Sequence, residues 1–258
     1  MSDFDKNSTT IGKNIIRLYS VGSTNQYLSE IASTNSLEEG TVIFTHIQTE
    51  GRGQKGTIWK SEPGKNLIIS FLLKPHFLLV SDQFLLSKIT ALSVLKTLQK
   101  FLPSSNEIKI KWPNDIYVNN QKICGILIEN SIQNSKLRQS IIGVGLNVNQ
   151  IEFLPELHAT SLINILEKET EIEEILKELC IQLNQFYSLL KSAQLSRIND
   201  LYKNELYRLN EWSKYIWKLN EIEAKITGVD SAGKLQLIMR NEELISADLK
   251  EIIFVHEP

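Results

Sequence analysis

The sequence predicts an α+β protein in which a larger part mixes strands with amphipathic helices, and a small all-β part follows from about Leu209. Three observations carry that reading. Leu85, Ile89, Leu92, Leu95 and Leu98 recur at helical spacing, as do Ile172, Ile175, Leu176, Leu179, Leu183 and Phe186. In residues 141–149, Ile142, Val144, Leu146 and Val148 share one strand face, while Gly143, Gly145, Asn147 and Asn149 share the other. After Leu209 the helical spacing gives way to short strands around the turn Val229-Asp230-Ser231-Ala232-Gly233. The division falls between residues 1–209 and 210–258.

Taken in order, residues 15–19 read as a strand, and Ser23-Thr24-Asn25 offers hydroxyl and amide caps to a helix over about residues 25–32. Residues 41–48 alternate as a second strand that delivers Gln48 to a glycine-rich loop. Residues 67–73 are apolar on both faces and predict a strand buried on both sides. The spacing predicts a core helix over residues 81–101 with Ser81 as its cap. A second begins at Thr170, where Thr170 and Glu173 fit a capping box. Between the helices, Ile108, Ile110 and Trp112 alternate with Lys109 and Lys111, which sets the lysines on the face opposite the apolar residues. Asn119-Asn120 predicts a hairpin turn, with residues 123–128 as the returning strand.

With 258 residues and 42% hydrophobic content the chain can fill one large core and a small second one. Twenty-eight basic and 30 acidic residues give a formal net charge of -2, so no global positive field favours nucleic acid and any anion recognition must be local. Two cysteines, Cys124 and Cys180, are too few for a disulfide framework and lack metal-ligand spacing. Residues 1–10 are polar, without the apolar centre of a signal peptide, and no apolar run approaches the ~20 residues of a membrane span. These features predict a cytoplasmic protein without membrane attachment.

The most informative stretch is Glu50-Gly51-Arg52-Gly53-Gln54-Lys55-Gly56, followed by Trp59. Its glycines let a backbone wrap a ligand, and Arg52 and Lys55 add positive charge, which suits an anion. The loop lacks the Gly-Lys-Ser/Thr ending of the common nucleotide loop. Glycine weakens a strand interior unless something approaches the backbone. Gly143 and Gly145 are therefore either a ligand floor or a seat for a neighbouring element. Together with Lys111 on a polar strand face, these parts make a kit for holding an acyl phosphate. His46, His76, His158 and His256 are scattered and read as incidental.

The combined motifs resemble biotin protein ligase, in a form without an N-terminal DNA-binding domain. They are Ser23-Thr24-Asn25, Gln48 with Gly51-Arg52-Gly53, Trp59, Lys111-Trp112-Pro113-Asn114-Asp115, Lys122 through Gly125-Ile126-Leu127, Gly143-Val144-Gly145-Leu146-Asn147 and Ala159-Thr160-Ser161-Leu162. The resemblance runs from about residue 15 to 162. It implies a mixed sheet with helices like that of class II aminoacyl-tRNA synthetases, plus a C-terminal SH3-like β-barrel. It implies that biotin and ATP, with Mg2+, give biotinyl-AMP and pyrophosphate, and that the anhydride then acylates a lysine of a biotin carboxyl carrier protein.

By the resemblance, Lys111, Arg52 and Asp115 are catalytic. Ser23, Thr24, Asn25, Gln48, Gly51, Arg52, Gly53, Gln54, Lys111, Gly125, Gly143 and Gly145 bind biotin or its adenylate, and Trp59, Asn114 and Asn147 attend the adenine and nucleotide. Asp115 reads either as a turn residue or as an acid that handles magnesium or the substrate lysine, and no metal ligands are indicated. Trp112 and Cys124 read as packing residues. The familiar motif carries a second arginine where Gln54 stands, and another basic residue near Thr57, so Arg52 and Lys55 are left as the loop's cations. The resemblance begins too near the N-terminus for a helix-turn-helix domain, so no DNA partner is expected, and a homodimer stays open. The nearest rival is a lipoate or octanoate ligase. A rival of another class is a non-catalytic module that holds biotin adenylate.

Overall fold

A computed structural model describes residues 10–249 and 251–255. The polar start and His256 lie outside the described residues, as does the side chain of Lys55. Seven strands, β1 (Ile15–Val21), β2 (Val42–Gln48), β3 (Asn66–Leu73), β4 (Ile108–Lys111), β5 (Asp115–Val118), β6 (Gln121–Gln133) and β7 (Lys136–Asn147), form one sheet in the order β1-β2-β3-β7-β6-β5-β4. β1 and β2 are parallel and every other neighbouring pair is antiparallel.

The alternation read from the sequence decides what each face of this sheet meets. Leu67, Ile69 and Phe71 of β3, Ile142, Val144 and Leu146 of β7, and Ile116 of β5 point into the main core. There they meet α2 (Phe84–Phe101) and α4 (Ile172–Lys191). Leu86, Leu92, Leu95, Leu176, Leu179 and Leu183 are buried at this junction. Each such side chain contributes about 1.5–3 kcal/mol by leaving water. On the opposite face α1 (Thr24–Thr34) covers only one end, where Leu28, Ile43, Leu72 and Ile141 form a small second cluster. The rest of that face carries Gly125, Gly143 and Gly145 among polar residues, with Ile68 and Leu127 beside the glycines.

Local signals were read correctly at α1, where the Ser23 side chain accepts from the Gln26 amide at 3.5 Å. Asn119 and Asn120, with φ of 47° and 67°, form the tight turn between β5 and β6. Two expected caps do not form. Ser81 sits in a 3-10 turn (Val80–Asp82), and Gln83 caps α2 without a side-chain hydrogen bond. The capping box at α4 does not form: Glu171 is the N-cap, and the buried Thr170 hydroxyl has no hydrogen-bond partner among the described residues. Asn149 Oδ1 accepts from the Thr170 amide at 3.0 Å, Asn149 Nδ2 donates to the Thr170 carbonyl at 2.9 Å, and Glu173 makes two bonds to Arg17 at 2.9 and 3.0 Å.

The sequence reading also missed α3 (Leu162–Leu166), α5 (Leu195–Asn204) and the outer half of the β6–β7 hairpin. α5 buries little beyond Ile198 and Tyr202, too few apolar residues to set a clear period. The hairpin turns at Asn134 and Ser135, and its outer residues are mostly polar, with Ile132 and the buried Leu137 too few to set an alternation.

β8 (Trp212–Trp217), β9 (Asn220–Val229), β10 (Leu235–Met239), β11 (Leu244–Ala247) and β12 (Ile252–Phe254) form a second sheet, antiparallel throughout, in the order β11-β10-β9-β8-β12. Its turn at Gly233 is tied to the larger sheet. The Trp112 indole, buried as expected, donates to the Gly233 carbonyl at 2.8 Å, and Gly233 has φ of 91° beside Phe84, where a Cβ would come within 2.5 Å of that ring. Among the described residues, no helix is long and apolar enough to cross a membrane.

Candidate functional site

A cavity of about 710 Å³ opens on the sparsely covered face of the seven-stranded sheet. All but one of the residues singled out from the sequence line it. The exception is Gly51, whose carbonyl accepts from the Trp59 amide at 3.0 Å behind the cavity wall.

At the α1 end the polar groups are wired to one another. Gln48 Oε1 accepts from the Thr24 amide at 2.9 Å and from its hydroxyl at 3.2 Å, and the Ser70 hydroxyl lies 2.7 Å from Thr24 Oγ1 and 2.6 Å from Asn25 Oδ1. Asn25 Nδ2 in turn donates to Glu129 at 2.7 Å. Each group is held in one orientation by the next, which is how buried polar side chains keep a fixed donor and acceptor pattern toward a ligand.

The glycine positions are explained by what lies on them. A Cβ at Gly143 would stand 2.5 Å from Asn25 Oδ1. One at Gly145 would stand 2.6 Å from the Trp59 ring, and one at Gly125 3.0 Å from it. In this state the glycines seat Asn25 and the Trp59 indole, and both of these seated residues line the cavity. Trp59 is held by its backbone bond to Gly51, and its buried indole N–H has no acceptor among the described residues. Lys122 Nζ stands 5.7 Å from the Trp59 ring.

The loop itself is a short 3-10 turn (Gln54–Gly56) closed by Gly53 N donating to the Thr57 carbonyl at 2.7 Å. Arg52 is exposed at the rim, where its guanidinium donates to Gln26 of α1 at 2.7 Å. Asn114 and Asn147 use their amide donors on backbone carbonyls, of Ile126 at 2.7 Å and Thr160 at 2.9 Å. They thereby lock the strand and loop that wall the cavity.

At the other end the Lys111 amine donates to the Tyr117 hydroxyl at 2.8 Å. Burial brings the Lys111 pKa down to about 8, against the pull of Asp115, while Lys122 and Arg208 push it the same way as burial. Asp115 pairs with Lys122 at 2.7 Å. The Tyr117 hydroxyl is pushed well above the ordinary phenol range, chiefly by burial, and stays neutral. The arrangement presents cationic amines and an aromatic surface to one end of a cavity whose other end is a fixed hydrogen-bonding network. An elongated ligand with a polar head and an anionic tail fits that order.

Ser70, Tyr117, Lys122, Glu129 and His158 also belong to the site or its supports, and the sequence reading did not assign them. Lys122 stood inside a quoted motif, and Tyr117 shares a strand face with Asp115 by simple alternation. His158, read as incidental, lines the cavity wall. Cys124 is fully buried, with its thiol pushed far above its usual range by burial, and packs as expected. Among the described residues, no three His, Cys, Asp or Glu side chains gather as a metal site.

A family model described as "Biotin/lipoate A/B protein ligase family" matches residues 18–147. The chain is 27% identical over 254 residues to the bifunctional ligase/repressor BirA of Bacillus subtilis, covering 96% of this chain and 77% of that one. It is 31% identical over 147 residues to the biotin--[acetyl-CoA-carboxylase] ligase of Mycobacterium tuberculosis, covering 56% and 53%. Among solved structures, the biotin protein ligase from Aquifex aeolicus in complex with biotin and ATP superposes with a TM-score of 0.77 at 27% identity. That match covers 95% of this chain and 100% of the other.

The seat of Trp59 can be tested directly. Gly145→Ala is expected to push the indole off the sheet and shift its fluorescence emission, a change that disappears when the same substitution is made in a Trp59→Phe background. Identical spectra for Gly145→Ala and the unmodified protein would contradict the packing.

Proposed function

The chain belongs to the biotin/lipoate A/B protein ligase family, and on that premise we propose that it is a biotin protein ligase. It joins biotin to ATP as biotinyl-AMP with release of pyrophosphate, then passes the biotinyl group to a lysine of a biotin carboxyl carrier protein. The observation that carries the reading is the single cavity joining a hydrogen-bonding network to a buried cationic amine. It is supported by likeness over 95% of the chain to a ligase structure holding biotin and ATP.

In the first step a carboxylate oxygen of biotin attacks the α-phosphorus of ATP, the bond to the pyrophosphate oxygen breaks, and negative charge builds on the phosphate oxygens. Lys111 stabilises that charge from a water-poor position where a cation acts strongly. The Thr24, Gln48, Ser70 and Asn25 network holds the polar head of biotin. Trp59 supplies an aromatic face for adenine, and Arg52, with the loop backbone, covers the adenylate. Magnesium enters as part of the nucleotide substrate, on the phosphates. Asp115 is engaged by Lys122, and no step is routed through it as a metal ligand.

In the second step the neutral amine of the acceptor lysine attacks the anhydride carbonyl, AMP leaves, and an amide bond forms as the attacking nitrogen loses its proton. Most of the residues that carry this chemistry lie in 1–209, and residues 210–258 form the smaller unit.

Pyrophosphate release from ATP is expected to require biotin, and equal turnover with lipoate or octanoate would move the assignment to the lipoate branch of the family. Lys111→Ala is expected to lower the rate of that release by roughly 100- to 1000-fold, the usual cost of losing one charge-stabilising group. Near-normal activity in this variant would refute the role.

The pH dependence follows from the lowered pKa of Lys111. Its charge is complete well below about 8 and is lost as pH rises through that value. The pH profile of kcat/KM for biotin, which reports groups of the free protein, is therefore expected to fall with a midpoint near about 8. An unperturbed lysine would hold activity to about pH 10. A plateau extending that far would contradict the buried setting of the amine.

A further inference from the structure

The C-terminal sheet reaches the site through one ring. Phe254, at the end of β12, is only 8% exposed, and its ring centroid lies 5.1 Å from Lys111 Nζ. The same nitrogen donates to the Tyr117 hydroxyl at 2.8 Å, which sets it 4.7 Å from that ring's centroid at the hydroxyl edge, so Tyr117 holds the amine through its oxygen and Phe254 through its ring. Phe254 is itself fixed. It stacks on Tyr207 at 6.3 Å, meets Tyr215 edge-on at 5.2 Å, and pairs with Tyr215 across β8. The next residue, Val255, accepts from Arg208 at 3.0 Å through its carbonyl. From the other side, the strand end that carries Lys111 is pinned to the same sheet by the Trp112 bond to Gly233.

A lysine stem has many rotamers and a buried amine tends to lose its proton, so neither the aim nor the charge of Lys111 is secured by its own strand. Ring faces attract a cation, and more so where water is excluded. We propose that Phe254 and Tyr117 are positioning residues that keep the Lys111 amine charged and aimed into the cavity, which makes the C-terminal sheet part of the adenylation site. The inference rests on the reading of Lys111 as the charge-stabilising group.

The charged groups facing the amine come from three directions: Asp115 on β5 favours the cation, and Lys122 on β6 and Arg208 before β8 oppose it. Phe254→Leu leaves all three in place and keeps the contact apolar, so it isolates the ring face.

The test reads the titration of Lys111 in the full-length chain, by competitive acetylation with acetic anhydride across pH and mass spectrometry of the peptide that contains it. Biotin-dependent pyrophosphate release is followed alongside, at matched folded protein. Phe254→Leu is expected to lower the Lys111 titration midpoint by roughly half to one pH unit, the range a desolvated cation–π contact supports. The alkaline fall in kcat/KM should move with it, and Phe254→Tyr should restore both. An unchanged midpoint in Phe254→Leu would reduce Phe254 to packing and overturn the proposal.

Should Phe254→Leu fail to fold, Tyr117→Phe reads the same cage from the other side. It keeps the ring and removes the acceptor, and a midpoint equal to that of the unmodified chain would again overturn the proposal. Failure of the underlying reading looks different: Lys111→Ala would then retain biotin-dependent pyrophosphate release whatever the titration shows.

Discussion

With Asn25 and the Trp59 ring where they lie, strand β7 has no room for a side chain at positions 143 and 145, because a single added carbon would collide with Asn25 at one and the Trp59 ring at the other. That steric constraint organises the molecule. The same strand sends Ile142, Val144 and Leu146 into the core, so the sheet is packed solid against α2 and α4 on one side and left open on the other. Everything that lines the cavity is placed relative to this open face. β3 brings Ser70 beside Thr24 and Asn25, β6 brings Gly125 beneath the Trp59 ring, and β4 and β5 bring Lys111 and Tyr117 to the far end.

The cavity therefore has two ends of different character, and the difference comes from burial and charge. At the α1 end Gln48, Thr24, Ser70, Asn25 and Glu129 are linked in turn by hydrogen bonds. At the Lys111 end burial, Lys122 and Arg208 work against the charged amine, while Asp115 works for it. A pKa of about 8 is the balance of these effects, and it keeps most of the amine protonated at neutral pH. The second sheet reaches this end through Phe254, whose ring centroid lies 5.1 Å from Lys111 Nζ.

Much of this was legible in the sequence because it rests on local periodicity. The alternation in β4 and β7 is a property of adjacent residues, so the face carrying Lys111 and the face carrying the glycines could be read without a fold. Ser23 as the cap of α1 and Asn119-Asn120 as a turn are equally local. The failures share a different cause. At Thr170 and Glu173, Asn149 takes the Thr170 amide, Arg17 takes the Glu173 carboxylate, and α4 starts at Ile172 with Glu171 as its cap. The seating of Trp59 on Gly145, the position of Gly51 behind the wall and the approach of Phe254 to Lys111 all depend on contacts between remote segments. No window of neighbouring residues encodes them. The shared motifs could name Gly51, Trp59, Lys111 and Gly145 as a group, but they could not say which of them touch, and they did not reach Phe254.

The central claim, that this cavity makes and transfers a biotinyl group, is tested most directly by mass spectrometry. A purified biotin carboxyl carrier domain is incubated with the protein, ATP, magnesium and either biotin or lipoate. The account predicts one biotinyl addition on a single carrier lysine with biotin, and none with lipoate or when ATP is omitted. A lipoyl addition, or an unmodified carrier under conditions where the protein is folded and binds biotin, would contradict it.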